Sequence, residues 1–375
     1  MRAVSLLAVF PPGDHHDVMS ARPPSRRDLL RPLRAAVDAN SMRSVPQEVE
    51  SSGALLMEIG RPAMGCRFEV LLHADAAEAG VEAAIAALDR VEFLEQQLTL
   101  YRPTSDLCRL NRTAAHRDTP VDDDLWRLID YAARLHAETG GAFDITTTPL
   151  SRCWGFHHRE GRLPDPHAIR DAMERVGMQH VRLDAETQSV RFLRPGIELS
   201  FAALGKGYAL DAAADLLEAA PLDDFVIHGG YSSILARGSP PARSESMAPG
   251  WRIALRDPFR PERRLGRIIL HNAAVGTSGL ANQSFIHRGK RYGHLLDPRT
   301  GYPADDLLSV TVVAPTALEA DALSTALFVL GREAAGDWCA RRSDVGAVLV
   351  SPGTASNEPV VEPIGLDDQW LPDMQ

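Results

Sequence analysis

The order of helical and strand patterns along the chain restricts the folds that it can adopt. Apolar residues alternate over residues 66–72, as in a half-buried strand, and recur at helical spacing over residues 76–100. Further helices are predicted over residues 121–141, 164–177 and 317–331, and the expected strands come in groups between them. This order lacks the regular strand–helix alternation of a doubly wound parallel sheet. We therefore predict an α+β fold with mixed or antiparallel sheets flanked by helices.

Composition and charge narrow the classes of function. Of the 375 residues, 45% are hydrophobic and 24% are charged, as in an ordinary globular protein. The net charge of −10, with Lys and Arg dispersed, argues against nucleic-acid binding. The four cysteines (Cys66, Cys108, Cys153 and Cys339) lie far apart without a CxxC pair, so we predict buried free thiols rather than a zinc site or disulfides.

The two ends of the chain differ in composition from the region between them. Residues 25–31, "SRRDLLR", are similar to a twin-arginine export signal, but a poor hydrophobic region follows. No apolar run approaches the roughly 20 residues of a membrane helix. We predict a disordered leader or degenerate export signal over residues 1–54, one domain over residues 55–353 and a flexible acidic tail over residues 354–375.

The polar segment "TGGAFDITTTPL" occupies residues 139–150. Gly140 and Gly141 suit the end of the preceding helix, and Asp144 with the threonines after it supplies oxygen atoms. The segment fits a turn that enters a strand. It equally fits a loop that holds a cation or a polar ligand.

A second segment, "ELSFAALGKGYALD", reads as a strand that meets a glycine-rich turn and opens into a helix. Lys206 lies between two glycines at the start of this helix, where exposed backbone N–H groups and an ammonium favour a phosphate. The spacing is not that of a Walker motif. A plain glycine-flanked turn remains the alternative.

A third segment, "EADALSTALF", carries Asp321 and Thr325 four residues apart, on one face of a predicted helix. A carboxylate and a hydroxyl are hard oxygen ligands of the kind that Mg²⁺ takes, together with water or phosphate. Alternatively, Asp321 is an N-terminal helix residue and Thr325 bonds back to its own helix.

The segment "GHLLDPRTGYP", residues 293–303, combines a short strand signal with a tight loop. His294 at its start is a candidate catalytic base or a residue that only hydrogen-bonds the loop.

These segments in this order resemble one known family. The set "AMGCRFEV", "LYRPTSDLCRLN", "TGGAFDITTTPL" followed by "WGF", "LGKGYALD", "GTSG", "GHLLDPRTG" and "EADALSTALFVLG" is similar to the FAD:protein FMN transferases, the ApbE-like flavin transferases. The resemblance covers roughly residues 57–350. It implies a two-lobed α+β fold with FAD in a cleft between the lobes, and Mg²⁺-dependent transfer of FMN from FAD to a threonine hydroxyl of an acceptor flavoprotein, with release of AMP.

The resemblance also assigns residues. Those similar to the family's flavin contacts are Met64, Tyr101, Ala142, Phe143, Asp144, Lys206 and Leu295. Those similar to its magnesium site are Asp321, Ser324, Thr325 and the backbone carbonyl of Ala203. With these assignments, Asp321 would hold Mg²⁺ against the pyrophosphate, Lys206 would offset further negative charge and His294 would accept the proton of the incoming threonine.

The chain departs from the family pattern at two places. Ser200 stands at a flavin-binding position that is usually acidic, and "HGGYSS" replaces a strand end that commonly has Asn before its glycines. These departures keep two alternatives open, an FAD pyrophosphatase that releases FMN and AMP and a non-catalytic flavin-binding assembly factor. Because the family serves exported or membrane-bound electron carriers, we favour a periplasmic or membrane-associated protein over a cytoplasmic one, although no lipoprotein cysteine lies near the N-terminus.

Overall fold

A computed structural model describes residues 48–50, 56–76, 78–240, 249–281, 283–353 and 358–373. The α-helices in these residues are α1 (Glu78–Leu98), α2 (Asp106–Thr113), α3 (Asp123–Glu138), α4 (Thr148–Cys153), α5 (Pro166–Met173), α6 (Gly205–Glu218), α7 (Ala317–Leu330) and α8 (Arg332–Cys339). Two 3₁₀ turns span Phe156–His158 and Met178–His180. The strands are β1 (Glu48–Glu50), β2 (Leu56–Ala63), β3 (Cys66–His73), β4 (Thr119–Pro120), β5 (Val181–Asp184), β6 (Ser189–Phe192), β7 (Phe225–Gly229), β8 (Ser233–Arg237), β9 (Trp251–Arg256), β10 (Arg264–Leu270), β11 (Ala273–Gly279), β12 (Ser284–His287), β13 (Lys290–Gly293), β14 (Ser309–Ala314), β15 (Gly346–Ser351), β16 (Val360–Ile364) and β17 (Trp370–Pro372).

The strands form four sheets. The largest has eight strands in the order β16-β15-β14-β11-β8-β7-β3-β2, and its neighbours pair antiparallel. A four-stranded sheet has the order β1-β9-β10-β17, a three-stranded sheet the order β4-β6-β5, and β12 pairs with β13 alone. The predicted α+β class with antiparallel sheets is confirmed, as are the helices expected at α1, α3, α5 and α7.

The eight-stranded sheet is buried on both faces. Alternate residues of β7 and β8 point to opposite sides, as strand geometry requires. Ile227 and Leu235 belong to the larger core, which includes α1, α6 and α7. Val226 and Ile234 belong to a second core with Trp251 and other residues of β9 and β10. The molecule is therefore layered as helices, large sheet and small sheet.

Helix α7 lies unusually close to α6 and to β11, and two glycines permit this. A Cβ on Gly207 would lie 2.1 Å from the carbonyl oxygen of Ala317, and a Cβ on Gly276 would lie 2.2 Å from that of Ala320. Real Cβ atoms do not approach a carbonyl oxygen so closely, so any side chain would push α7 away. The approach places the first turns of α7 at the centre of the molecule.

Two strands expected from the sequence are absent from the structure. Residues 198–201, "ELSF", belong to no strand among the described residues. Their backbone is bonded instead by the Asn111 side chain, which contacts both N–H and C=O of Leu199, and by the Ile145 carbonyl, which accepts from Ser200 N–H. The segment "GHLLDP" contributes only an isolated bridge between Leu296 and Pro303.

The expected leader and tail also need correction. Strand β1 lies in the predicted leader and pairs with β9, and β16 and β17 lie in the predicted flexible tail and pair with β15 and β10. These short edge strands lack a clean apolar alternation, so the sequence pattern did not reveal them. The export-like stretch at residues 25–31 lies outside the described residues.

Two further expectations concern cysteines and membrane helices. The four cysteines are free, but only Cys339 is buried, whereas Cys66, Cys108 and Cys153 are half-buried. Among the helices that the structure describes, none has the length and apolar character needed to cross a bilayer.

We predict that Gly207→Ala destabilises the protein, because its Cβ would force α6 and α7 apart. The expected loss in the free energy of unfolding is about 1–3 kcal/mol, typical of overpacking. Gly205→Ala is the matched control, since its Cβ would lie 3.5 Å from the nearest neighbour, Phe201 Cβ, and alanine favours helix. Urea denaturation of both variants tests this; equal stability of the two would contradict the close approach.

We also predict a pH dependence from Asp211, which caps α7 by accepting from the N–H groups of Ala317 and Leu318, each at 2.8 Å. Burial raises the pKa of Asp211 to about 6, against the capping bonds that lower it. A carboxyl whose pKa is higher in the folded state contributes stability at low pH and loses that contribution as pH rises through the folded value. Its contribution should therefore decline between about pH 4 and pH 7.

Asp211→Asn cannot titrate, so its free energy of unfolding should change less between pH 5 and pH 8 than that of the wild type. Asp337→Asn, at an exposed position on α8, serves as the control. An identical pH profile for Asp211→Asn and wild type would exclude this role.

Candidate active site

One cavity of about 680 Å³ brings together nearly all of the candidate residues from the sequence. This volume is in the range of small-molecule and cofactor sites. The candidates that border it are Met64, Tyr101, Ala142, Phe143, Asp144, Ser200, Ala203, Lys206, His294, Leu295, Asp321 and Thr325. Ser324 does not border the cavity, although its neighbours on α7 do.

The Asp321 carboxylate joins three elements at the cavity wall. Oδ1 accepts from Lys206 Nζ on α6 at 3.1 Å and from Ser233 Oγ on β8 at 3.0 Å. Oδ2 accepts from the Gly207 N–H at 3.0 Å. Because the side chain is only 6% exposed, these three donors replace the water that a buried carboxylate requires.

Lys206 is one of two lysines in a chain with 40 basic side chains, the other being Lys290. Lysine presents a compact ammonium on a flexible stem, whereas arginine presents a broad planar fork. A point charge suits the narrow space between α6 and α7. The ammonium borders the cavity as well as contacting Asp321.

Hydroxyl groups continue the polar wall beside Asp321. Ser278 Oγ on β11 lies 2.9 Å from Ser324 Oγ and 2.9 Å from Thr325 Oγ1. Ser324 also donates to the Asp321 backbone carbonyl at 2.8 Å. Thr325 and Ser278 face the cavity, while Ser324 supports them from within α7.

These oxygen atoms are of the chemical kind that could hold a magnesium ion. Gly207 lies in the first turn of α6, where N–H groups have no acceptor within the helix, and its N–H donates to Asp321. The Ala203 carbonyl precedes the N-cap residue Leu204 and Ala203 borders the cavity, so this carbonyl is a candidate ligand. Mg²⁺ is commonly held by one or two carboxylates plus water and substrate phosphate, and one carboxylate, one hydroxyl and one carbonyl are compatible with that pattern. Among the described residues no cluster of three His, Cys, Asp or Glu offers an all-protein metal site.

Asp144 borders the cavity, and its carboxylate is held within the protein. Its carboxylate is 1% exposed and accepts from the N–H of Thr146 at 2.7 Å and from that of Met178 at 3.1 Å. It also lies 3.2 Å from His136 Nδ1, and this contact raises the pKa of His136. Asp144 therefore fastens the loop after α3, which leads into α4 at Thr148 and not into a strand. Asp144 and the loop that it fastens both border the cavity.

His294 is positioned as a neutral base. Its Nδ1 lies 3.0 Å from the Gln283 carbonyl oxygen, so Nδ1 carries the proton and Nε2 keeps its lone pair. Burial lowers the pKa of His294 below its usual value. The imidazole is therefore uncharged at neutral pH and borders the cavity beside Gln283.

Met64 reaches the cavity from the β2–β3 hairpin. Met64 and Gly65 form its two-residue turn with φ of 49° and 74°, the left-handed values of a type I′ turn. A non-glycine residue with positive φ is uncommon and is often found at a functional site. Ser200 also borders the cavity, and its hydroxyl accepts from the Ala202 N–H at 3.3 Å.

Sequence reasoning did not identify three residues of this site. Ser233 and the N–H of Gly207 bond Asp321, and Ser278 connects Ser324 with Thr325. "GTSG" and "HGGYSS" were visible as motifs that contain Ser278 and Ser233. Their contacts with α7 join residues that are 46 and 88 positions apart in the sequence. A local sequence pattern does not predict contacts over such separations.

Comparison with known proteins places this geometry in a family. The model of the ApbE family matches residues 64–349. A curated FAD:protein FMN transferase from Klebsiella pneumoniae is 35% identical over 270 residues, which cover 70% of this chain and 73% of the relative. One from Treponema pallidum is 33% identical over 282 residues, 72% of this chain and 76% of the relative.

Solved structures with a similar fold belong to the same family. The apo form of a flavinyl transferase ApbE from Pseudomonas stutzeri has a TM-score of 0.70 and 30% identity, and covers 87% of this chain and 98% of its own. An ApbE protein from Thermotoga maritima has a TM-score of 0.72 and 26% identity, over 82% of this chain and 96% of its own. The fold and the site thus define a flavin transferase-like α+β protein. The chain belongs to the ApbE family.

Proposed function

We propose that this protein transfers FMN from FAD to a threonine hydroxyl of an acceptor flavoprotein in a Mg²⁺-dependent reaction that releases AMP. The observation that carries the proposal is the convergence of Asp321, Lys206 and His294 on one cavity in a chain of the ApbE family. The curated relatives are named for transfer of FMN from FAD to protein.

The reaction is a phosphoryl transfer. The threonine oxygen forms a bond to the phosphorus of the FMN phosphate, the pyrophosphate bond on the other side of that phosphorus breaks, and AMP leaves with its electron pair. Positioning and charge neutralisation supply most of the rate in such reactions. The Lys206 ammonium at the cavity wall offers a positive charge to the pyrophosphate.

The residues that would hold Mg²⁺ are Asp321, Thr325 and the Ala203 carbonyl, supported by Ser324 and Ser278. When bound, the ion would neutralise negative charge on the phosphate oxygens. Ser233 and the Gly207 N–H keep the Asp321 carboxylate in one orientation before any ligand arrives. This arrangement reduces the reorganisation that binding requires.

His294 is the proposed acceptor of the threonine proton. Its Nε2 is unprotonated while Nδ1–H is fixed on the Gln283 carbonyl, so the ring is ready to accept without changing tautomer. We also propose a periplasmic or membrane-associated location; its support is the resemblance to a family that serves exported or membrane-bound electron carriers.

We predict that Asp321→Asn lowers FMN transfer by about 100-fold or more, the usual effect of removing a group that stabilises charge in a transition state. The assay incubates the enzyme with FAD, Mg²⁺ and an apo acceptor flavoprotein and measures the added FMN by intact-mass spectrometry. EDTA should abolish the added mass, as should replacing the acceptor threonine by alanine.

Glu319→Gln is the matched control, because Glu319 lies on the same helix but outside the cavity and is bonded to Arg342. Undiminished transfer by Asp321→Asn would overturn the metal assignment. Free FMN and AMP with an unmodified acceptor would indicate a pyrophosphatase, and intact FAD would indicate a binding protein.

We further predict that His294→Asn lowers transfer by about 10²–10⁴-fold at neutral pH, as for loss of a general base. The asparagine amide can still donate to the Gln283 carbonyl, so FAD binding should persist. Because burial lowers the pKa of His294 from 6.5, the wild-type rate should decline only below pH 6.5, as the ring becomes protonated.

The variant should lack this decline, whereas His287→Asn, at an exposed position on β12, should behave as wild type. A wild-type rate in His294→Asn would exclude His294 as the base.

A further inference from the structure

Two aromatic rings from different loops stack against each other at the cavity. Tyr101 lies in the loop between α1 and α2, and His157 lies in the 3₁₀ turn after α4. Their ring centroids are 5.4 Å apart with an interplanar angle of 25°. Both residues border the cavity, so the pair forms part of its wall.

The backbone of the 3₁₀ turn presents His157 to Tyr101. The turn is bounded by Gly155 and Arg159, with φ of 77° and 59°, and the Arg159 N–H donates to the Phe156 carbonyl. Phe156 is buried and stacks on Trp154, with centroids 6.5 Å apart. The turn is thus anchored through one ring while the next residue, His157, faces the cavity.

Tyr101 depends on this partner for a fixed orientation. Its side chain is one of the most exposed large aromatic groups, with 75% of the residue surface accessible. Among the described residues His157 is its one stacked ring, so the opposite face of the phenol is open. A separation of 5.4 Å is that of a single stacked pair, and no third ring fits between the two.

The charge state of His157 suits stacking. Burial, followed by the positive charges of Arg152 and His158, lowers the pKa of His157, and Glu198 opposes them. The ring is therefore neutral at neutral pH. Arg152 is itself held by Glu198 through two hydrogen bonds of 3.0 and 2.7 Å, which keeps its guanidinium in place.

We infer that His157 is a positioning residue for the flavin: it holds the Tyr101 ring in place with one face open, and the isoalloxazine ring of FAD stacks on that face. The inference rests on the proposed function only in taking FAD as the ligand, and not on transfer. Stacked aromatic pairs are stabilised to an extent that corresponds to about a two- to tenfold change in affinity.

The test is a double-mutant cycle on FAD binding, followed by flavin fluorescence without acceptor. We expect His157→Ala to raise the Kd for FAD about two- to tenfold and to reduce the quenching of bound flavin. His157→Phe keeps a ring and should restore both values. In a Tyr101→Ala background, His157→Ala should have no further effect, because His157 acts through Tyr101.

His167→Ala controls for removal of an exposed histidine outside the cavity, and thermal unfolding verifies that each variant is folded. An unchanged Kd in His157→Ala would overturn the inference. So would an equal loss in both backgrounds, which would mean that His157 contacts FAD independently of Tyr101. Failure of the wild type to bind FAD would instead overturn the proposed function, and this inference with it.

Discussion

The Asp321 carboxylate is the contact on which the arrangement of the site depends. It lies where α6, α7 and β8 meet, and its position follows from the close approach that Gly207 and Gly276 allow. A carboxylate buried there must be fully hydrogen-bonded, since an unpaired buried charge costs several kcal/mol. Lys206, Ser233 and the Gly207 N–H meet that requirement, and of these Lys206 borders the cavity together with Ala203 and Thr325.

The sequence predicted most of the cavity because its residues lie in local motifs. Lys206 lies in a glycine-flanked turn, and Asp321 and Thr325 lie one helical turn apart, so both could be recognised without tertiary information. Asp144 illustrates the limit. Its carboxylate accepts from the N–H of Met178, 34 residues away, and only the folded chain shows that it fastens a loop as well as bordering the cavity.

The strands were likewise predicted where a local pattern specifies them and missed where contacts distant in sequence decide the conformation. Apolar residues alternate over residues 66–72, which lie in β3. The "ELSF" segment is an equally plausible strand, but the Asn111 side chain bonds its backbone and it joins no sheet among the described residues. Strands β16 and β17 carry a proline each and charged or exposed residues, and they pair only because the completed sheets offer them an edge. Hydrophobic periodicity predicts a strand that buries one face. It does not predict a strand whose conformation depends on pairing with a neighbouring strand.

The hydrogen bonds and ion pairs of the two buried carboxylates, Asp144 and Asp321, also affect how the cavity accepts an anionic ligand. The chain has a net charge of −10, and the proposed substrate carries an anionic pyrophosphate. Asp144 directs its charge to backbone N–H groups and His136, and Asp321 directs its charge to Lys206. Arg102, Arg159 and Lys206 border the same cavity. Because exposed charges are screened within about 10 Å at moderate salt, these nearby cations matter more to an anion in the cavity than the distant net charge does.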